Sequence, residues 1–156
     1  EGYHREFCIY SHHHRGTPER PGLVLGLDAG GACRGMALRV AAEKREAVIA
    51  YLDERELMTG AYLPRTLDVA IDGDGRAVAA YTFIADCDHP QYAGSVPIAE
   101  AARLIMGAEG YSGLNRDYLI NTVRHLEGLG FCEARLHELL AEVERRTGEI
   151  DAGGGI

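Results

Sequence analysis

Two glutamates in the stretch Tyr51-Leu52-Asp53-Glu54-Arg55-Glu56 point to proton-transfer chemistry. The stretch reads as the C-terminal half of an amphipathic helix that begins after Val40 and ends at Gly60, and Ala41, Ala42, Glu43, Lys44 and Arg45 are all good helix formers. At about 100° per residue, with Val48 as zero, Leu52 falls at about 40° and Ile49 at about 100°, giving one apolar face. Glu56 falls at about 80°, inside that face, and Glu54 at about 240°, opposite it. Glu56 is therefore expected to point inward and Glu54 to stay in water. A carboxylate on an apolar face is costly unless it finds partners or takes up a proton, and burial raises its pKa. Periodicity alone leaves two roles open for Glu56: a proton carrier, or the partner of an arginine.

The elements that must position this glutamate follow from hydrophobic patterning. Residues 1–10 read as a strand, and 11–21 as a polar loop carrying His12, His13, His14 and Arg15. Residues 22–28 read as a second strand and 32–40 as a third, joined by a turn at Ala29-Gly30-Gly31, with Met36, Leu38 and Val40 on one face and Arg39 on the other. After the helix come a strand over 62–72, a hairpin turn at Asp72-Gly73-Asp74-Gly75, and a nearly all-apolar strand over 76–86, expected to be covered on both faces. Pro97 opens a helix to about residue 108. Further helices are expected over about 115–128, with Leu119, Ile120, Val123 and Leu126 as its apolar face, and over about 133–147. Residues 1–149 then make one domain and 150–156 a flexible tail. Strands first, one interrupting helix, more strands and then helices give an α+β fold with a mostly antiparallel sheet able to close into a barrel.

Composition sets limits on partners. The 156 residues are 46% hydrophobic and 26% charged, as in a globular domain. The net charge of −8 argues against nucleic acid, since phosphate binding needs a basic face, and no apolar run is long enough for a bilayer. Cys8, Cys33, Cys87 and Cys132 form no C-x-x-C pair and no dense framework, which points to reduced thiols and a cytoplasmic protein. Three neighbouring histidines cannot readily converge on one ion without a loop folded around it, so no metal site is assigned to them.

Six segments, taken together and in order, resemble the ChaC-like γ-glutamylcyclotransferases. They are Gly2-Tyr3-His4-Arg5-Glu6-Phe7, Ser11-His12-His13-His14-Arg15-Gly16-Thr17-Pro18, Arg34-Gly35-Met36-Ala37, Tyr51–Glu56, Asp86-Cys87-Asp88-His89-Pro90-Gln91-Tyr92 and Ser112-Gly113-Leu114-Asn115-Arg116-Asp117-Tyr118-Leu119. The resemblance implies a small, mostly antiparallel β-barrel flanked by helices. It implies release of 5-oxoproline from γ-glutamyl compounds, with glutathione as the substrate of this branch and cysteinylglycine as the second product. It also makes Glu56, the last glutamate of the Tyr-Leu-Asp-x-Arg-Glu stretch, the catalytic carboxylate. The family carries a Tyr-Gly-Ser-Leu loop after its first strand, whose backbone holds the γ-glutamyl group. No such stretch occurs in these 156 residues, so the chain is expected to start just after that strand and loop.

The implied chemistry suits a carboxylate. An α-amine with a pKa of roughly 8 is mostly protonated near neutral pH and must lose its proton before it attacks. A carboxylate takes that proton and returns one to the leaving nitrogen, and backbone N–H groups would stabilise the oxyanion. No metal or organic cofactor is required. Tyr118, in the first turn of its helix, either hydrogen-bonds substrate or packs at the helix rim. Arg39 either binds a carboxylate or pairs with Glu56 or Asp53. Arg15 is read as a solvated loop residue rather than a substrate contact. Alternative readings of the whole chain are a non-catalytic binding domain of the same fold and a cyclotransferase for another γ-glutamyl compound.

Overall fold

A β-bulge in the first strand sets up the two-sided architecture. The computed structural model describes residues 1–73 and 75–153, with side chains as far as Gly148. β1 (Tyr3–Ser11) pairs antiparallel with β2 (Gly22–Ala29), and the register slips between Phe7 and Ile9. The extra residue, Cys8, breaks strict alternation. Phe7 and Tyr10 therefore pack on the helical side, while Cys8 and Ile9 both pack on the other, with Ala61, Val24 and Ala85.

The helical side holds the main core. α2 (Ile98–Gly107), α3 (Asn115–Gly128) and α4 (Ala134–Gly153) bury Ala102, Ile105, Leu119, Val123, Leu136, Leu139 and Val143 against Phe7 and Leu23. These residues recur at three- and four-residue intervals, as one helical face requires. Within this arrangement Glu6 is buried, and Arg135 of α4 reaches it with Nε while its Nη2 donates to Val96 O at 2.7 Å.

On the other side lies a second hairpin, β3 (Tyr62–Ala70) with β4 (Ala77–Ala85). Its turn includes Gly73 at φ +89°, but Asp74 of the expected Asp-Gly-Asp-Gly turn lies outside the described residues. α1 (Arg45–Glu56) follows a short 3-10 turn at Ala42–Lys44 and precedes β3. A third pair, β5 (Glu109–Gly110) with β6 (Gly113–Leu114), leads into α3.

Several expectations need correction. Residues 32–40 form no strand. They form no regular element, with Met36, Leu38 and Val40 at 65%, 82% and 41% exposure. The hairpin partner of β2 is β1, across the 12–21 loop, and the pairing buries Phe7 and Leu23 in one cluster. Among the described residues there are three two-stranded sheets and no closed barrel. β4 is not covered on both faces: Ala77, Val78 and Ala79 are exposed and Ile84 alone is fully buried. β3 stops at Ala70 rather than residue 72. α4 continues through Gly153, so residues 150–153 of the expected tail are helical; 154–156 lie outside the described residues. Cys33 sits in a loop rather than a strand, half-buried.

Candidate active site

The C-terminal end of α1 meets β4 through the phenol of Tyr81. Tyr81 Oη donates to Asp53 Oδ1 at 2.5 Å, and Gly60, at φ +74°, lets the chain turn away after the last helical turn. The inward face of α1 carries Val48, Ile49, Leu52, Asp53 and Glu56, all half-buried, while Glu54 is exposed. The helical wheel thus separates the two glutamates as expected, although no residue of α1 is fully buried. Arg55 Nε donates to Glu56 Oε1 at 2.8 Å. With its side chain 64% exposed, Arg55 is a solvated partner and a weak one.

A wall is built on the outer edge of β2. Tyr62 Oη donates to Leu25 O at 2.9 Å, and Leu25 N donates to Tyr118 Oη at 3.4 Å. Two residues earlier, Leu23 N donates to Asn115 Oδ1 at 2.7 Å, and Asn115 Nδ2 donates to Leu23 O at 2.8 Å. Asn115 and Tyr118 are three apart on α3, about 4.5 Å along the axis, and Leu23 and Leu25 are two apart on β2, about 6.8 Å. The longer Tyr side chain spans the difference. Burial pushes the Tyr62 phenol up, and the nearby Tyr118, Cys8 and Glu56 add to the shift. Burial also raises Tyr118, with Glu56 contributing in the same direction, while the Leu25 N–H, Thr122 and Arg15 oppose it. Both phenols therefore lie within electrostatic reach of the Glu56 carboxylate.

Behind Tyr118 runs a groove of about 480 Å³ lined by Arg15, Leu25, Tyr118, Asn121, Thr122 and His125, among others. Close backbone packing places Arg15 there. A Cβ on Gly22 would stand 2.2 Å from Arg15 O and 2.7 Å from Asn115 Oδ1, and one on Gly110 would stand 2.4 Å from His13 O. Only glycine allows these approaches. Arg15 Nη1 then donates to Ser112 O at 2.6 Å and Leu114 O at 3.3 Å, and the guanidinium lies 5.3 Å from the Tyr118 ring centroid. Arg15 is thus half-buried and held, not a solvated loop residue.

The remaining candidates scatter. Arg39 is exposed on the irregular stretch before α1, and Glu56 and Asp53 take Arg55 and Tyr81 instead. His12 stacks on Tyr10, His13 on Tyr111, and His14 Nδ1 meets Ser112 Oγ at 3.1 Å, so the three rings go to three different partners. Sequence reasoning missed Tyr62, Asn115 and the edge of β2. Asn115, directly after the Gly113-Leu114 strand and three residues before Tyr118, was the available signal.

A family model described as ChaC-like protein matches residues 1–146. The chain belongs to the ChaC-like family. A relative from Escherichia coli (strain K12), named glutathione-specific gamma-glutamylcyclotransferase, is 38% identical over 148 residues, covering 95% of this chain and 64% of that protein. Gamma-glutamylcyclotransferase 2-3 of Arabidopsis thaliana is 35% identical over 161 residues, 97% of this chain and 79% of that one. Glutathione-specific gamma-glutamylcyclotransferase 1 of Danio rerio is 36% identical over 123 residues. This ChaC-like chain therefore spans 64% and 63% of the lengths of the E. coli and Danio relatives. The crystal structure of a yeast γ-glutamyl cyclotransferase specific to glutathione superposes with a TM-score of 0.74 at 20% identity, over 92% of this chain and 84% of that one. The α+β fold is shared. Among the described residues no helix is long and apolar enough to cross a membrane.

The Asn115 clamp gives a direct test of how the wall of this ChaC-like chain is held. Asn115→Ala leaves the buried Leu23 N–H and C=O without partners. It is expected to lower stability by at least about 2 kcal/mol, since each of the two orphaned buried groups costs roughly 1–3 kcal/mol. Chemical denaturation with an unchanged m-value checks this, and an unchanged midpoint would show that water replaces the amide.

Proposed function

We propose that this protein is a γ-glutamylcyclotransferase acting on glutathione, which it cleaves to 5-oxoproline and cysteinylglycine. The observation that carries the reading is Glu56. It is the last residue of a stretch shared with the family, half-buried, and within electrostatic reach of the Tyr62–Leu25–Tyr118 wall. Glu56 takes a proton from the substrate's α-ammonium, the freed amine attacks the γ-carbonyl, Glu56 returns that proton to the amide nitrogen as its C–N bond breaks, and the surplus proton on the new ring nitrogen passes to the departing amine. Nucleophile and electrophile belong to one molecule, so the protein's main task is to hold the folded-back conformer. Tyr118 Oη already accepts from Leu25 N–H, and Thr122 adds a second contact that favours the phenolate. Its own proton is left to donate to the substrate. Arg39, exposed on the irregular stretch before α1, is a candidate contact for a substrate carboxylate.

The same reading extends to the fold. Residues 1–149 form one domain, and β1–β2 and β3–β4 are sections of a small barrel, supported by the Tyr62–Leu25 bond and the approach of Gly26 to Ala85 between them. The apolar face of Met36, Leu38 and Val40 is suited to completing it. Four free cysteines, with the buried Cys8 thiol pushed up to about 12 by burial and by Asp28 and Glu6, fit a reducing cytoplasm.

The Arabidopsis relative's name does not restrict its substrate to glutathione, which favours other γ-glutamyl compounds as a second reading. One assay separates the two. Incubation with glutathione and with γ-glutamyl amino acids is expected to release 5-oxoproline from glutathione at the highest kcat/KM, and EDTA is expected to leave the rate unchanged. Faster turnover of a γ-glutamyl amino acid would select the second reading. No 5-oxoproline from any donor would remove the cyclotransferase assignment.

A further inference from the structure

The chain has 24 acidic and 16 basic side chains, and most half-buried arginines meet one of the carboxylates. Arg5 meets Glu133 at 2.5 Å, Arg146 meets Glu142 at 2.6 Å, and Arg135 meets Glu6. Arg15 is the exception: among the described residues it is the half-buried arginine with no carboxylate within 4.0 Å. Its Nη1 is occupied by the Ser112 and Leu114 carbonyls, which neutralise none of its charge. Among the described residues nothing accepts from Nε or Nη2. That edge of a guanidinium is a two-donor fork matched to a carboxylate. Leu25, Leu126 and the Tyr118 ring line the same groove. Apolar walls limit screening and strengthen an ion pair formed there.

The groove also has the right extent. From Tyr118 to His125 it follows two turns of α3, about 10 Å, enough for the departing dipeptide at roughly 3.3–3.6 Å per residue. Glu56 is not among its lining residues, so it takes the part of the substrate remote from the reacting amine.

We propose that Arg15 is an anion-binding, specificity-determining residue that holds the distal carboxylate of the substrate, the one carried by the departing dipeptide. The proposal rests on the cyclotransferase reading above and adds to it the position of the carboxylate, which in a γ-glutamyl tripeptide lies one residue further from the scissile bond than in a γ-glutamyl amino acid. The γ-glutamyl group is placed at Glu56 by other contacts, and Arg15 fixes the far end.

The test compares glutathione with its C-terminal glycinamide, which differs only in that carboxylate. In the unaltered protein KM for the amide is expected to exceed that for glutathione by about tenfold to a hundredfold, the range for a charge-assisted hydrogen bond, with kcat within about threefold. Arg15→Met should raise KM for glutathione to that of the amide and leave the amide unchanged, and Arg15→Lys should restore part of the difference. Equal KM for both substrates in the unaltered protein overturns the proposal. So does an Arg15→Met variant that still discriminates, and the comparison in the unaltered protein stands even if the variant does not fold. If neither substrate is turned over, the activity reading fails separately, and calorimetric titration of both compounds decides the site. Tighter binding of glutathione than of the amide upholds it; equal or absent binding overturns it.

Discussion

Glu56→Gln is expected to lower kcat for 5-oxoproline release by about 10²–10⁴-fold, with KM and melting temperature nearly unchanged. The amide keeps the shape of the carboxylate and can still accept from Arg55 Nε, so the local structure has no reason to move. It cannot take a proton from the substrate's ammonium. The existing Arg55–Glu56 pair does not argue against this role. Arg55 is solvated, and exposed pairs contribute only about 0–1 kcal/mol, so an incoming ammonium can displace it. Glu54→Gln, on the exposed side of the same helix, should stay within about twofold of the unaltered protein. Steady-state kinetics on both variants decides the matter, and full activity in Glu56→Gln would end the mechanism.

The largest stability effect is expected far from that site, at Arg135. Glu6 is buried, with its side chain 4% exposed. Its Oε1 accepts from Phe7 N at 3.1 Å and its Oε2 from Arg135 Nε. Arg135 Nη2 also donates to Val96 O at 2.7 Å and Ser95 Oγ at 3.2 Å, so one guanidinium ties α4, β1 and the entry to α2 together. Arg135→Met removes the cation and strands the carboxylate. Breaking a buried pair in this way costs about 3–5 kcal/mol. For a domain of this size that lowers the melting temperature by roughly 10 °C. Adding Glu6→Gln to Arg135→Met should recover much of the loss, because the stranded charge is then gone. A melting temperature within about 2 °C of the unaltered protein would show that water reaches Glu6.

The helices and the inward turn of Glu56 were legible because each rests on a local period. Leu119, Val123 and Leu126 repeat on one face of α3, and Val48, Leu52 and Glu56 on one face of α1. The strands were legible as segments but not as a sheet. Residues 32–40 alternate as well as β1 does, yet alternation does not say which strand lies alongside, and the long 12–21 loop joins the true partners. The bulge at Cys8 could not be foreseen, since it comes from two clusters competing for one strand. Arg15 was misread for a related reason. Its neighbours His12, His13 and His14 are exposed, but glycines at 22 and 110 bring distant backbone close enough to hold it. Tyr62 went unnoticed because its partner is a main-chain carbonyl, which leaves no trace in residue type.

The two attachments of α3 to β2 have a mechanical consequence. A single point of attachment leaves a hinge, whereas Asn115 on Leu23 and Tyr118 on Leu25 fix both position and rotation. The strand edge and the helix therefore behave as one stiff body. α1 is built differently: it has no buried residue and is tied to β4 by the phenol of Tyr81. Elements with few buried contacts occupy the low-stability end of a fold. The site thus has one rigid jaw and one compliant jaw, and the compliant one carries Glu56. Under the proposed mechanism, rocking of α1 is then the way the distance from Glu56 to the substrate changes, while the edge of β2 and α3 hold their spacing.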